Sequence, residues 1–472
     1  MIPLTLLDVA EAVSGITSPT VDTSAVVAGK CEIDSRLVQP GDLFIAIKGE
    51  NHDGHDHVEA AIAAGAVAAI VSADGPGPRI VVTDTVAALG GLARAVLKRQ
   101  SDVTVLALTG SSGKTSTKDV LGQLLSSTAA TVWPQGSFNN ELGLPLTVLR
   151  VDEQTRYLVL EMGSRGIGHV RDLCQIAAPD VALILNVGSA HVGEFGSQQN
   201  TALAKGELVE ALEPQGVAVL NADDPYVCAM AERTVAPISW FGSGAGADVQ
   251  VVDVVLDNLA RPRVTLRIDD ETRELTLALH GAHQASNAAA AAAAAKAAGM
   301  TADQIFVALE DVRQQSRWRM EVTETSDSTT VVNDAYNANP ESMTAALRAL
   351  VAMGQGKQTW AVLGEMKELG DASILAHDEI GRLAVRLGVD RLIGVGEACR
   401  SMVLGAASEG YYGGEAHYCA DGDQARKYLL EHAQAGDVIL FKASRAAGLE
   451  TLAEQVIADH GGPVYPTAGE AQ

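Results

Sequence analysis

Val103-Thr104-Val105-Leu106-Ala107-Leu108-Thr109-Gly110-Ser111-Ser112-Gly113-Lys114-Thr115-Ser116 is the stretch on which the reading of this chain turns. An apolar strand runs straight into a glycine-containing loop and then into a helix, the context a mononucleotide-binding loop requires. The glycines let backbone N–H groups approach phosphate oxygens with no Cβ in the way. A helix N-terminus adds partial positive charge, Lys114 adds a full one, and the Thr115 hydroxyl can ligate a phosphate-bound Mg²⁺. The whole loop, Thr109, Gly110, Ser111, Ser112, Gly113, Lys114, Thr115 and Ser116, is thus a candidate cradle for ATP or GTP. No N-K-x-D guanine-reading element occurs, which favours adenine. One position departs from the long template: Leu108 stands where a glycine is wanted, so the match is to the shorter G-x-x-G-K-T.

Outward from the loop, apolar runs alternate with helical stretches: Tyr157 to Glu161, Val181 to Asn186 and Gly216 to Asn221. That alternation predicts a doubly wound, mostly parallel sheet around the phosphate loop. Val249 to Leu279 reads as a meander of short strands, and the alanine-rich run from Asn287 to Gly299 as a packed helix. Upstream, Asp42 to Ile47, Ala68 to Val71 and Arg79 to Val82 form a small α/β unit that ends at the polar break Lys98 to Asp102. Downstream of Gln314, Thr329 to Asn333, Gln358 to Leu363, Arg391 to Val395 and Asp437 to Phe441 give a Rossmann-like βα series, with helices such as Ile380 to Leu387. No G-x-G-x-x-G follows its first strand, so no dinucleotide is expected there. The expected fold class is α/β in three domains, at 1–100, 101–314 and 315–472, and the tail from Gly461 is expected to be poorly ordered.

Composition agrees with a chain of several compact domains. A chain of 472 residues exceeds what one hydrophobic core organises, and 47% hydrophobic residues supply the apolar surface that folding needs. The N-terminus lacks a basic segment followed by an apolar one, and no 18-residue apolar run occurs, so neither secretion nor a membrane span is expected. Five scattered cysteines without a C-x-x-C pair suit the reducing cytoplasm. A net charge of -25 opposes binding to nucleic acid, so an anionic substrate must be held by local groups. Glu161 ends an apolar run, at the edge where parallel sheets bind ligands; it reads either as a Mg²⁺ ligand or as a solvated turn residue. His191, in a small-residue loop, reads either as a ligand or as a hydrogen bonder.

Four ordered motifs resemble the Mur ligases over essentially the whole chain: the loop Thr109 to Thr115, Glu161-Met162-Gly163, Asn186-Val187-Gly188-Ser189-Ala190-His191, and Ala204-Lys205-Gly206-Glu207. Asp334-Ala335-Tyr336-Asn337-Ala338-Asn339-Pro340 resembles the D-x-Y-N-A-N-P motif of the family's D-alanyl-D-alanine-adding branch. Its sister ligases carry histidine at the position of Asn337. Ser137 to Pro145 and Gly364 to Gly370 are similar to the same branch.

The resemblance implies three domains, ATP and Mg²⁺ as cofactors, and UDP-N-acetylmuramoyl-tripeptide and D-alanyl-D-alanine as substrates, handled by a cytoplasmic monomer. It implies that Lys205 is carbamylated and holds a second Mg²⁺ beside His191, although a lysine among small helical residues otherwise reads as a solvated surface charge. Asn287 would read adenine, Asp334 would hold the ribose, and Arg317 would reach the γ-phosphate beside Lys114. Ser35, Arg36 and Lys48 would meet the uridine diphosphate, or else belong to ordinary polar loops; Asn139, Asn140, Tyr336, Asn337 and Asn339 would meet the peptide substrates. Two departures stand out: Gln284 replaces a frequent asparagine, and Lys442-Ala443-Ser444-Arg445 replaces K-G-S-R. The competing readings are another ligase of the superfamily and a nucleotide switch or motor ATPase that lacks a carboxylate acceptor.

Overall fold

The apolar runs become strands and the amphipathic stretches helices in a computed structural model that describes residues 1–49, 51–188 and 197–464. His191 and the end of the tail, 465–472, lie outside those residues. The phosphate-loop strand, Thr104–Thr109, sits inside a nine-stranded sheet. Tyr157–Glu161 and then Thr131–Val132 flank it on one side. On the other side come Val181–Ile184, Val217–Asn221, Ile238–Gly242, Val249–Leu256, Pro262–Ile268 and Glu271–Thr276. All pairings are parallel as far as Val249–Leu256; the two after it are antiparallel, which is where the meander attaches. The register sets Glu161 beside Leu108 and Ile184 beside Thr109, so three strand ends open on the loop. Ligands bind parallel sheets at that edge.

The alanine helix spans His283–Ala297, beginning one turn earlier than the alanine run itself. Ala288 to Ala295 are fully buried. A helix apolar all round must be enclosed on every side. Here the small side chains bring it against the phosphate-loop helix, Lys114–Ser126, and the central strands.

The N-terminal unit holds a five-stranded sheet in the order Ile16–Thr17, Arg79–Val81, Ala68–Val71, Leu43–Ile45, Cys31–Glu32, parallel except at the Ile16–Thr17 edge. Its last helix, Thr85–Arg99, starts at Asp84, whose carboxylate accepts from the Val86 and Ala87 N–H groups. Leu89, Leu92, Ala93 and Val96 of that helix share one apolar cluster with Leu144, Val148, Val170 and Leu173 of the central unit. The polar break at 98–102 therefore separates two sheets without separating two cores. Local polarity marks a chain turn, whereas core continuity depends on which helix faces meet.

The C-terminal unit is a six-stranded sheet in the order Glu321–Glu324, Thr330–Asn333, Val438–Lys442, Thr359–Leu363, Arg391–Val395, Ala416–Cys419, antiparallel only at the Glu321–Glu324 edge. An apolar cluster covers each face. The fold is thus α/β with three main sheets, one to each unit, and among the described residues a further two-stranded antiparallel pair of Leu4–Thr5 with Val26–Val27. Thr330–Asn333 ends at the segment Asp334 to Pro340, which faces the phosphate loop across a cleft.

Candidate active site

Gly113 is the residue that lets the phosphate loop close. Its φ of +80° lies in the left-handed region, and a Cβ there would stand 2.6 Å from Asn287 Oδ1. Asn186 shapes the other half of the loop: its Oδ1 accepts from the Ser111 and Ser112 N–H groups at 3.0 and 2.9 Å, and its Nδ2 donates to the Ser112 carbonyl. Lys114 folds back and donates to the Gly110 carbonyl at 2.7 Å. Burial lowers its pKa from the ordinary lysine value, with Glu161 opposing that shift and Arg319 adding to it.

Two adjoining cavities, about 280 and 170 Å³, share the walls Ser112, Gly113, Thr115, Arg319 and Ser342. The larger brings together Lys114, Glu161, Lys205, Asn139, Asn140, Tyr336, Asn337 and Asn339. The smaller brings together Ser116, Asn287, His283 and Asp334, with Lys442. Residues 200 positions apart in sequence thus meet across one cleft. Ser35, Arg36 and Lys48 do not line it. Arg36 is ion-paired with Asp34 at 2.6 Å, and the Lys48 main chain forms an isolated antiparallel β-bridge with that of Asp53, both within the N-terminal unit.

Glu161 and Arg319 each carry one buried polar atom without a hydrogen-bond partner among the described residues. Glu161 is buried; Asn139 Nδ2 donates to its Oε1 at 2.8 Å, and its Oε2 has no hydrogen-bond partner among the described residues. Arg319 Nε is a buried donor in the same condition. A buried charged group left unsatisfied is costly, so an acceptor and a donor orphaned in one cleft mark the place of a ligand with both a cation and an anion. Mg²⁺ with phosphate fits that pair, and Thr115 supplies a hydroxyl beside it. Among the described residues no three His, Cys, Asp or Glu side chains gather to hold a metal.

Lys205 overturns its surface reading. It lies on Gln198–Glu210, is 1% exposed, and lines the cleft. Burial, reinforced by Lys114, pushes its pKa well below the ordinary lysine value. A shift in that direction favours the neutral amine, which is the nucleophilic form of a lysine.

Arg317 is where sequence and structure part. Its guanidinium is paired with Glu454 at 2.7 Å and lies over the Trp318 ring. Arg319 reaches the loop instead, donating to Thr115 Oγ1 at 3.2 Å and Ser137 Oγ at 3.4 Å, with its guanidinium 4.2 Å from the Tyr336 ring centre. The exchange has a backbone cause: Trp318 and Met320 have φ of +57° and +52°, so the chain kinks on both sides of Arg319. The run Ser316-Arg317-Trp318-Arg319 offers two arginines, and no local rule chooses between them.

Asn339 also has a structural duty, because its Oδ1 accepts from Ser342 N at 2.8 Å and caps the helix Pro340–Met353. An Asn-Pro pair opening a helix is the signal for that cap. Asp334 is anchored by Met320 N at 3.0 Å and Lys442 Nζ at 2.6 Å, and Lys442 also donates to the Asn337 carbonyl at 2.9 Å. Lys442, Arg319, Asn186 and Ser137 were not singled out by residue type. Asn186 beside His191, Ser137 at the head of Ser137 to Pro145 and Lys442 in Lys442-Ala443-Ser444-Arg445 lay in motifs that could have pointed to them, and Arg319 lay in none.

Models of known families match most of the chain. The Mur ligase family catalytic domain matches residues 30–96, the Mur ligase middle domain 108–295, and the Mur ligase glutamate ligase domain 318–445. The chain is 43% identical to the UDP-N-acetylmuramoyl-tripeptide–D-alanyl-D-alanine ligase of Mycobacterium tuberculosis, covering 97% of this chain and 98% of that protein. Its structure is similar to crystal structures of MurF from Acinetobacter baumannii (TM-score 0.88, 31% identity, 97% and 99% covered) and of MurF ligase from Thermotoga maritima in complex with ADP (TM-score 0.80, 30% identity, 92% and 98% covered).

Proposed function

Since this chain belongs to the Mur ligase family, we propose that it catalyses the reaction for which its 43%-identical relative is named. It adds D-alanyl-D-alanine to UDP-N-acetylmuramoyl-tripeptide with ATP, in peptidoglycan synthesis. The observation that carries this reading is the shared cleft: Lys114 and Lys205 of the central unit face Tyr336, Asn337 and Asn339 of the C-terminal unit. A nucleotide in the phosphate loop and a peptide held by the opposite wall would then meet at one point.

An amine does not displace hydroxide from a carboxylate, so the tripeptide carboxylate oxygen first attacks the γ-phosphorus of ATP and ADP leaves. The dipeptide amine adds to the resulting acyl phosphate, loses a proton, and the tetrahedral intermediate expels phosphate to leave the amide. Lys114 and Arg319 supply fixed positive charge where the transferring phosphoryl group spreads its own. Arg319 takes the part that the resemblance gave to Arg317. Asn287, Asp334 and Lys442 lie at the nucleoside end, in the smaller cavity. Thr115 and Glu161 would hold Mg²⁺, which when bound neutralises phosphate charge. We also propose that the Lys205 amine adds CO₂ and releases a proton to solvent, giving a carbamate that would hold a second Mg²⁺; His191, its expected co-ligand, lies outside the described residues.

We assign residues 1–100 to the uridine-diphosphate end, through Ser35, Arg36 and Lys48, residues 101–314 to ATP, and residues 315–472 to the incoming dipeptide. The site of action would be the cytoplasm and the working form a monomer. Among the described residues no helix is long and apolar enough to cross a membrane.

The test supplies ATP, Mg²⁺, D-alanyl-D-alanine and UDP-tripeptides that differ only at the third residue, with ¹⁸O in the terminal carboxyl. Product one dipeptide heavier and one ¹⁸O in each released phosphate are expected. Phosphate release that ignores both peptides, as in a switch or motor ATPase, refutes the reading.

A further inference from the structure

Past Thr115, the phosphate-loop helix carries two side chains, Asp119 and Gln123, that the reaction does not use. Thr115, Asp119 and Gln123 are spaced four apart and so stand one above another on a single face. Each holds one point of the segment joining the central and C-terminal units. Gln123 grips the Arg313 main chain from both sides: its Nε2 donates to the Arg313 carbonyl at 3.0 Å, and its Oε1 accepts from the Arg313 N–H at 3.0 Å. Asp119 Oδ2 accepts from Ser316 Oγ at 2.5 Å. Thr115 Oγ1 accepts from Arg319. Contacts at 313, 316 and 319 against 123, 119 and 115 mean that the connection runs antiparallel along the helix, fastened at every turn.

The middle fastening is built at some cost. Asp119 is 6% exposed, and its charge is met by Lys118 Nζ at 2.6 Å, itself without any solvent exposure. Lys118 Nζ also donates to the Pro134 and Gly136 carbonyls at 2.8 and 2.9 Å, which fixes the loop carrying Ser137, the second hydroxyl that Arg319 meets. Beyond Ser316 the chain passes through the two left-handed residues around Arg319. A non-glycine residue in that region is strained and persists only when its surroundings over-determine it. Met320 N is held by Asp334 on the far side, so both ends of the kink are pinned.

We infer that Asp119 and Gln123 are positioning residues of the ligation: through Ser316 and the Arg313 backbone they lay the interdomain connection along the phosphate-loop helix and so fix where the Arg319 guanidinium stands. Neither touches the cleft wall that Lys114 and Glu161 share. Their action is indirect, through Arg319, and it rests on the ligase reading given above. It makes the helix that begins at the phosphate loop also the rail on which the C-terminal unit is hung.

The test is a double-mutant cycle in the full-length enzyme. Gln123→Ala with Ser316→Ala should lower kcat about tenfold while leaving the ATP KM within about twofold, because what is lost is placement of a group that acts in the transition state. In an Arg319→Lys background the same pair should cost less than about twofold, since residues acting through one group are not additive. Equal losses in both backgrounds overturn the inference. Hydrogen exchange at the Trp318 and Met320 amides reads the same device without turnover, and should speed up at least about tenfold in the clamp variant, as a loosened segment does. Unchanged exchange also overturns it, whatever reaction the enzyme performs; failure of the ligase reading would show separately, as no heavier product from the unaltered enzyme.

Discussion

Replacing Gly113 by alanine should cripple nucleotide binding by an amount the structure lets one estimate. The residue has φ +80° and a Cβ would fall 2.6 Å from Asn287 Oδ1. Two costs follow. The left-handed backbone costs a non-glycine residue roughly 1–2 kcal/mol. The contact forces Asn287 to turn, and Asn287 is held by its own Nδ2 donating to Gln284 Oε1 at 3.0 Å. If the loop yields instead, backbone N–H groups leave the phosphate; each charge-assisted hydrogen bond lost costs about 1.5–3 kcal/mol, or about 10- to 150-fold in Kd. Gly388 supplies the control, since its φ of +78° is nearly the same, nothing lies within 4 Å of its Cβ position, and it ends a helix in the C-terminal unit. Gly388→Ala should lose comparable thermal stability and keep ATP affinity within about twofold, because only the backbone term applies. Calorimetric titration with ATP and Mg²⁺ reads affinity, and thermal unfolding reads strain. Gly113→Ala binding ATP as well as Gly388→Ala does would refute the assignment of this loop.

Three further outcomes are expected. Arg319→Lys should reduce kcat by about 100-fold or more, because a guanidinium fork at transferring phosphate is not replaced by an ammonium, whereas Arg317→Lys should stay within about threefold; steady-state kinetics of the two variants decides between them. Glu161→Gln keeps an acceptor for Asn139 and removes the charge, so the Mg²⁺ concentration for half-maximal activity should rise at least about tenfold, which a metal titration measures. Lys205→Met should abolish activity that bicarbonate cannot restore, yet stabilise the fold by about 1–3 kcal/mol at pH 7 in CO₂-free buffer. The sign follows from burial lowering the folded pKa: between the folded and unfolded values the unfolded chain binds the extra proton, so the lysine opposes folding there. That opposition fades as pH rises toward the unfolded value of about 10.4, so the stability gap between variant and parent should narrow in unfolding curves at successively higher pH.

The sequence by itself determined the elements and the loop. Apolar runs at Thr104–Thr109, Tyr157–Glu161, Val181–Ile184 and Val217–Asn221 are strands because a strand buried on both faces has only one way to spend four to six apolar residues. Glycine at 113 was legible for a similar reason, since backbone conformation is a local property. What only the tertiary structure decided concerns partners far apart in the chain. Lys205 is buried because its helix happens to face the phosphate loop, and residue type alone placed it in water. Arg319, and not Arg317, lines the cleft, where two left-handed residues turn the chain between anchors at Asp119 and Asp334 that lie outside its own segment. The N-terminal and central units share a core because one helix meets the faces of two others. Periodicity and turn chemistry act over a few residues, so they are written in the chain; burial and charge pairing are set by the surfaces that come to face each other, and those exist only once the chain has folded.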